Sequence, residues 1–145
     1  MEMKRMVRSF IVILPTIALL LSLPAQAQNL SALTVWQNRS GSTFSLDTHN
    51  SQTGPITGTY INQSTGYSCI GTPYPAVGWY LNGAITWSVI WNNNYQNCNS
   101  VTAWSGFYSN NTLTTRWVLS TQTTNIAGDD VFTGVAKKNT MSLKK

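Results

Sequence analysis

Short segments with strand composition recur along most of this chain, and turn residues separate them at nearly even spacing. Val, Ile, Thr, Trp and Tyr dominate these segments, whereas Gly, Pro, Asn and Ser cluster between them. No stretch after residue 27 keeps the apolar spacing of an amphipathic helix, so we expect an all-β fold. The predicted strands are Ala32–Asn38, Ser42–Thr48, Ile56–Asn62, Ala76–Leu81, Ala84–Asn92, Val101–Ser109, Leu113–Thr121 and Asp130–Lys137.

The turns between these segments favour antiparallel strands that follow one another in the chain. Asn82-Gly83 predicts a two-residue hairpin turn, because both residue types tolerate positive φ. A meander of this kind has unpaired edges unless the sheet closes on itself. The sequence therefore predicts an eight-stranded antiparallel up-and-down β-barrel, whose interior holds packed side chains or one small ligand. A β-sandwich is the alternative arrangement.

The first 27 residues have the composition of a secretory signal peptide. Three basic residues precede an apolar run, Phe10–Leu23, and Ala25-Gln26-Ala27 has the small residues of a cleavage site. The run is shorter than a typical membrane span. We therefore expect residues 1–27 to be removed and residues 28–145 to form one domain. The mature protein is expected to be secreted or periplasmic, with no membrane partner.

Removing residues 1–27 leaves 118 residues with six basic and three acidic side chains, a net charge of about +3. Four of the six basic residues lie within the last nine, which indicates a solvated tail, so we expect no nucleic-acid partner. His49 is the only histidine, and no second histidine or cysteine has metal-ligand spacing. We therefore expect no metal site.

The two cysteines, Cys69 and Cys98, are expected to form one disulfide. An exported protein meets an oxidising compartment, and an even number of cysteines favours pairing. Closing a loop of 29 residues stabilises a fold by about 3–4 kcal/mol in the chain-entropy model.

The segment from Trp91 to Gly106 has the composition of a cavity mouth. Amides and hydroxyls, with almost no charge, lie between Trp91 and Trp104. Trp and Asn at the ends of two strands suggest apolar walls with polar groups at fixed points. Taken alone, the segment fits a hairpin with buried Trp side chains and a polar loop equally well.

Five segments share a pattern that extends over most of the chain: Trp36–Phe44, Thr57–Tyr60, Trp91–Gly106, Trp117–Leu119 and Asp129–Phe132. In their order and nearly in their spacing, these segments resemble the avidin and streptavidin family of biotin-binding barrels. Each segment alone is a weak signal, whereas together they cover the chain from Leu33 to about Val135. The resemblance implies high-affinity, non-catalytic binding of biotin in the open end of the barrel, without a cofactor.

The resemblance also implies a role for each candidate site residue. Asn38, Ser42 and Tyr60 would donate hydrogen bonds to the ureido oxygen of biotin, as an oxyanion hole does. Asp130 and Asn62 would accept hydrogen bonds from the two ureido N–H groups. The other candidates would surround the rings and the tail: Trp91, Trp104, Trp117 and Leu119 as apolar walls, Thr102 facing the thioether, and Ser100 with the loop from Asn62 to Gly71 at the carboxylate.

Departures from the family pattern bear on assembly. Twelve residues and no Trp separate Trp117 from Asp130, where tetrameric relatives carry a Trp that enters the neighbouring subunit's pocket. Cys69 and Cys98 resemble instead the dimeric branch typified by rhizavidin, in which a disulfide ties the lid loop after strand three to the loop after strand five. The resemblance therefore implies a homodimer with a rigid lid, which needs less ordering when the ligand binds.

Two other functions use the same residue types. A carbohydrate-binding module, or a barrel for another small ligand, also employs Trp, Asn and Asp. A hydrolase would need a catalytic pair, yet only His49 could serve a nucleophile, and Asp47, Asp129 and Asp130 lack the spacing that identifies one. The sequence therefore favours a binding protein and predicts no enzymatic activity.

Overall fold

The computed structural model shows eight antiparallel strands that follow one another and close into a barrel. The structure describes Leu30, residues 34–48 and residues 53–136. The strands are β1 Thr34–Asn38, β2 Thr43–Thr48, β3 Thr53–Ile61, β4 Pro73–Leu81, β5 Ala84–Asn92, β6 Asn97–Ser109, β7 Thr112–Ser120 and β8 Asn125–Ala136. Because β8 pairs with β1, the sheet has no free edge. The predicted barrel is confirmed, and the sandwich alternative is wrong.

Four strands, β3, β4, β6 and β8, begin three to five residues earlier than predicted. Their first residues had been assigned to turns because they include Pro, Asn and Gly. In β4, Pro73 and Pro75 pair with β3, while the pairing with β5 starts only at Ala76. The side of this segment that faces β5 is therefore unpaired, although the barrel as a whole is closed. A strand tolerates proline where one side has no partner.

Two tight turns close the same end of the barrel. Asn82 and Gly83 join β4 to β5 with φ values of 46° and 102°, and Asn110 and Asn111 join β6 to β7 with 49° and 59°. Positive φ at both central residues is the geometry that matches the twist of antiparallel strands. The predicted hairpin turn at Asn82-Gly83 is confirmed.

The core fills the barrel from this closed end. Tyr80, Ile85 and Leu113, which lie beside the two turns, are buried. Above them Phe44 stacks on Trp87 with ring centroids 4.4 Å apart and planes 5° from parallel. Aromatic rings of this size leave no space at the closed end, so a ligand can enter only from the opposite end.

Cys69 and Cys98 form a disulfide, as predicted. It joins the loop between β3 and β4 to the beginning of β6, where Cys98 is already part of the strand and not of the preceding loop.

The described part of the chain includes no helix of the length and hydropathy that crossing a membrane requires. The predicted signal peptide, His49 and the terminal lysines lie outside the described residues.

Candidate ligand-binding site

A cavity of about 550 Å³ occupies the open end of the barrel. Side chains from β3, β5, β6, β7 and β8 line it, and the loop between β3 and β4 covers part of its mouth. No Lys or Arg of the described residues belongs to this lining. The size and the mixture of indole rings with hydroxyl, amide and carboxylate groups suit one small, polar-headed molecule.

The structure brings all eleven predicted site residues to this end of the barrel. Nine of them line the cavity: Tyr60, Asn62, Trp91, Ser100, Thr102, Trp104, Trp117, Leu119 and Asp130. The other two, Asn38 and Ser42, are buried behind the lining, and hydrogen bonds join them to it. The contact of each of the eleven residues with a ligand stays a prediction.

Backbone groups fix the orientation of the Asn38 amide. Its oxygen accepts hydrogen bonds from the backbone N–H groups of Ser40 at 3.1 Å and Ser42 at 2.9 Å. The amide nitrogen therefore points to the cavity side, where it donates to Asp130 Oδ1 at 3.2 Å. One of its two hydrogens remains for a ligand, because an amide NH₂ group has two donors.

The Asn62 amide is held in the same way at the end of β3. Its oxygen accepts from the Ser64 backbone N–H at 3.0 Å and from the Ser42 hydroxyl at 3.4 Å. Its nitrogen donates to the Ser68 carbonyl at 3.1 Å. Because an amide oxygen has two lone pairs, Asn62 can accept from a ligand only when the Ser42 hydroxyl turns away. The long 3.4 Å bond is the one that a ligand can displace.

Asp130 is a half-buried carboxylate without a cationic partner. Besides Asn38, the Trp104 indole N–H is the one side-chain donor among the described residues that reaches it, at 3.5 Å. Burial raises the pKa of Asp130 above its ordinary value, the hydrogen bonds from Trp104 and Asn38 oppose this rise, and the neighbouring Asp129 charge adds to it. Arg116 lies outside the barrel and pairs with Asp129 at 3.4 Å. Asp130 therefore faces the cavity as an acceptor with unused capacity.

Tyr60 supplies a neutral phenol beside this carboxylate. Burial raises its pKa well above the ordinary value of 10.0, a hydrogen bond with Ser42 opposes the rise, and the Asp130 charge adds to it. The hydroxyl therefore keeps its proton and can donate it. The Tyr60 ring packs against Trp104, with centroids 4.7 Å apart, and edge-on against Trp91, at 5.7 Å.

Neighbouring side chains fix the two buried indoles of the wall. The Trp91 N–H donates to the Thr102 hydroxyl at 2.8 Å, which orients both residues. Trp104 stacks on Trp87 with centroids 5.5 Å apart and planes 9° from parallel. Trp117 is more exposed and meets the edge of Tyr67, a residue of the covering loop, at 6.2 Å. The wall is therefore rigid at the bottom of the cavity and more open at its mouth.

Several residues of this site were not predicted individually from the sequence. Tyr67 was included only through its loop, and nothing in the sequence marked it except that it is the one aromatic residue in a run of Ser, Thr and Gly. Trp87 was not among the predicted site residues, yet it stacks on Trp104 from the core side. Thr121 and Ile126 also line the mouth, and Asp129, whose carboxylate pairs with Arg116 on the outer surface, borders its rim.

Comparison with known protein families gives a match over most of the chain. The Avidin family model matches residues 26–140. Afifavidin from Afifella pfennigii is 37% identical over 155 aligned residues, which cover 92% of this chain and 94% of afifavidin. Hoefavidin from Hoeflea phototrophica is 40% identical over 95 residues, which cover 59% of this chain and 58% of hoefavidin.

Solved structures give the same result. Apo shwanavidin has a TM-score of 0.70 and 39% identity, over 75% of this chain and 100% of that one. The complex of bradavidin2 with biotin has a TM-score of 0.65 and 32% identity, over 73% of this chain and 99% of that one. Because the family match spans the whole barrel and these barrels share its architecture, the chain belongs to the avidin family.

Proposed function

We propose that this chain is a non-catalytic protein that binds biotin with high affinity in the open end of its barrel. The observation that carries the proposal is the arrangement of opposite hydrogen-bonding groups around one cavity. Donors from Asn38, Ser42 and Tyr60 lie on one side, and the carboxylate of Asp130 lies beside them. Bradavidin2 and a shwanavidin variant, both similar to this chain, were crystallised with biotin.

The ureido oxygen of biotin fits the three donors. Tyr60 stays neutral, Asn38 has one amide hydrogen to spare, and the Ser42 hydroxyl can turn towards the ligand. Tyr60 and Asn38 are held in place in the ligand-free barrel, and of the three donors the Ser42 hydroxyl alone must turn, so little reorganisation accompanies stabilisation of the polarised oxygen. The protein excludes water from these donors, so a ligand that leaves one of them unpaired loses binding free energy.

The two ureido N–H groups fit Asp130 and Asn62. An ionised acceptor makes a shorter and stronger hydrogen bond than a neutral one, so Asp130 is the stronger partner. When the Ser42 hydroxyl turns to the ureido oxygen, it leaves one lone pair of the Asn62 oxygen free for the second N–H. Rotation of the Ser42 hydroxyl thus supplies a donor to the ureido oxygen and frees an acceptor on Asn62 at the same time.

The rest of the ligand fits the remaining lining. The indoles of Trp91, Trp104 and Trp117, with Leu119, surround the fused rings, and Thr102 faces the thioether. Hydroxyl groups of the mouth, Ser64, Ser68 and Ser100, surround the carboxylate of the tail. Because no described Lys or Arg belongs to the lining, hydrogen bonds and not an ion pair would hold this carboxylate.

The arrangement of acids supports binding without catalysis. Asp129 is exposed and pairs with Arg116 on the outer surface, whereas Asp130 is half-buried on the cavity side. These two carboxyl groups therefore do not form the facing pair that hydrolysis of a glycoside requires.

Thermal unfolding with and without biotin tests the proposal. A ligand at about 1,000 times its dissociation constant stabilises the folded state by roughly 4 kcal/mol, which raises the Tm of a domain of this size by about 15 °C or more. A panel of monosaccharides is the control and should leave the Tm unchanged. If a sugar raises the Tm and biotin does not, the carbohydrate-binding alternative is correct.

We propose further that the disulfide slows biotin release by holding the covering loop. Within the loop, the Asn62 side chain donates to Ser68 and the Asn62 carbonyl accepts from Gly71 at 2.8 Å, whereas Cys69–Cys98 ties the loop covalently to β6. Replacing both cysteines with serine is expected to raise the biotin dissociation rate about tenfold, since the loop must then be ordered on binding. Stopped-flow displacement of a fluorescent biotin measures this rate, and an unchanged rate would show that the loop needs no covalent tie.

A homodimer is the assembly that we propose. Exposed apolar side chains lie on the outer surface of five consecutive strands, β4 to β8, with Trp79 at 65% exposure and Ile90 at 63%. Large apolar side chains exposed on neighbouring strands mark a surface for protein–protein contact. The exposed pair Arg116 and Asp129 lies within it, and a two-fold axis would let each side chain meet the opposite charge of the partner. Sedimentation should give twice the mass of the mature chain, and a monomer at micromolar concentration would contradict the proposal.

We also propose export, to the periplasm or the medium, on the basis of the first 27 residues. Mass spectrometry of the protein recovered from those fractions should find Gln28 at the N-terminus. Recovery of the uncleaved chain from the cytoplasm alone would contradict this location.

A further inference from the structure

Gly128 and Trp117 are direct partners in the pairing of β7 with β8. Side chains at paired positions point to the same face, and their Cβ atoms are about 4.5–5.5 Å apart. Trp117 uses the space that Gly128 leaves empty. A Cβ atom on Gly128 would lie 2.6 Å from Cζ2, 2.9 Å from Cε2 and 3.1 Å from Nε1 of the Trp117 indole. The indole therefore lies flat across β8 in the place where any other residue has a side chain.

The backbone does not require glycine at this position. Gly128 is absent from the glycines with positive φ, so an L-residue can adopt its conformation. A Cβ atom on Gly58, Gly78 or Gly106 would instead approach backbone atoms of the neighbouring strand. Of Gly41, Gly58, Gly66, Gly71, Gly78, Gly83, Gly106, Gly128 and Gly134, Gly128 alone would place a Cβ atom within 3 Å of a side chain that lines the cavity.

We propose that Gly128 is a positioning residue for biotin, which acts by setting the position of the Trp117 indole. This inference rests on the proposed function. Tyr67 of the covering loop also packs against the indole, with ring centroids 6.2 Å apart and planes nearly perpendicular. Trp117 thus spans the mouth from β8 to the covering loop. A side chain on Gly128 would lift the indole from β8, and the indole would then move into the cavity or press against Tyr67.

The covering indole explains how β8 accommodates a glycine, which otherwise weakens a strand. Glycine weakens a strand, because it has no side chain to pack and loses more conformational freedom on folding. An aromatic ring from the neighbouring strand that covers the glycine recovers part of this loss. Gly128 therefore leaves the space that the Trp117 indole fills, and the indole in turn covers the glycine.

The first test compares two substitutions in β8. Gly128→Ala is expected to weaken biotin binding about tenfold, because the displaced indole must be moved back for the ligand to enter. Gly134→Ala is the matched control: it adds the same methyl group to the same strand, and its Cβ atom would crowd the Asn111 side chain, 2.0 Å from Oδ1, at the closed end. It should lower stability but leave the biotin dissociation constant within about twofold, since it lies far from the cavity.

The second test asks whether the effect acts through Trp117. In the Trp117→Phe background the smaller ring leaves space for a methyl group, so Gly128→Ala should cost less than about threefold there. This double variant also serves if the single variant fails to fold. An equal loss in both backgrounds, or no loss in the wild-type background, would overturn the positioning role.

A third measurement does not need biotin. Gly128→Ala should shift the indole N–H resonance of Trp117 in the NMR spectrum of the ligand-free protein, and the Trp117→Phe variant assigns that resonance. An unshifted resonance would overturn the inference even if biotin binds. If the resonance shifts but the wild-type protein binds no biotin, the proposed function fails while the geometry of this pair stands.

Discussion

Replacing Trp104 with alanine is expected to cause the largest loss of biotin binding, about 3 kcal/mol or more, which is over a hundredfold in the dissociation constant. Trp104 is buried and lies between Trp87 and Tyr60, with centroid distances of 5.5 Å and 4.7 Å. Its N–H also donates to Asp130. The substitution therefore removes an apolar wall and one of the two groups that orient the carboxylate. Isothermal calorimetry with biotin measures the effect.

The same substitution is expected to lower the free energy of unfolding by about 3–5 kcal/mol, because it opens the cavity towards the core. Trp104→Phe separates the two losses. It keeps a smaller aromatic wall and removes the indole N–H, so its binding should lie between that of the wild type and that of Trp104→Ala. A folded Trp104→Ala variant that binds biotin within tenfold of the wild type would remove Trp104 from the site.

Asp130→Ala is expected to weaken biotin binding by about 2 kcal/mol or more, close to thirtyfold. The substitution leaves a ureido N–H of the bound ligand without an acceptor inside the occupied cavity. It also frees the Asn38 amide nitrogen, which donates to Asp130 at 3.2 Å in the ligand-free chain. Calorimetry at neutral pH measures the loss, and wild-type affinity in this variant would refute the role of Asp130.

The raised pKa of Asp130 predicts a pH dependence of binding. The ligand's N–H needs the ionised carboxylate, so affinity should be constant at neutral pH and fall up to tenfold per pH unit below the pKa of the free protein. Because burial raises this pKa, the fall should begin at a higher pH than for an ordinary aspartate. Asp130→Asn is the control, since its affinity should be lower but nearly independent of pH over the same range.

The stability of the ligand-free protein should change in the opposite direction. A folded-state pKa above the ordinary 3.8 means that the folded chain holds this proton more tightly than the unfolded chain does. The contribution of Asp130 to stability is therefore lost as the pH rises from about that value through the folded pKa, and at neutral pH the buried charge is a cost. Asp130→Asn should therefore unfold at a higher temperature than the wild type without biotin. A lower Tm would show that the carboxylate stabilises the empty barrel.

The sequence predicted the barrel because local signals were sufficient for it. Alternating segments gave all eight strands, and Asn82-Gly83 gave a turn that the structure confirms. The predicted first residues of β4, β6 and β8 were wrong, because Pro73, Asn97 and Asn125 are of residue types that are common in turns. Such residues are acceptable in a strand when one side lacks a partner, and whether it does depends on the neighbouring strands.

The site could be predicted only through family resemblance, since each of its residues alone fits a core or a turn. Asn38 and Asp130, which share a hydrogen bond, are 92 residues apart, so no local pattern joins them. The Asn62 amide was predicted to accept from the ligand, yet only the structure shows that Ser64 and Ser42 already use its oxygen.

What the sequence determined by itself is the all-β meander, its turns and the residue types that the cavity needs. Only the tertiary structure decided that Trp117 lies over Gly128 and that Tyr67 meets it from the covering loop. The physical reason is that closure of the barrel fixes the register between strands, and register decides which side chains are neighbours across them. Composition and spacing along one strand carry no information about that neighbour, so the packing of the pocket wall had to be read from the folded chain.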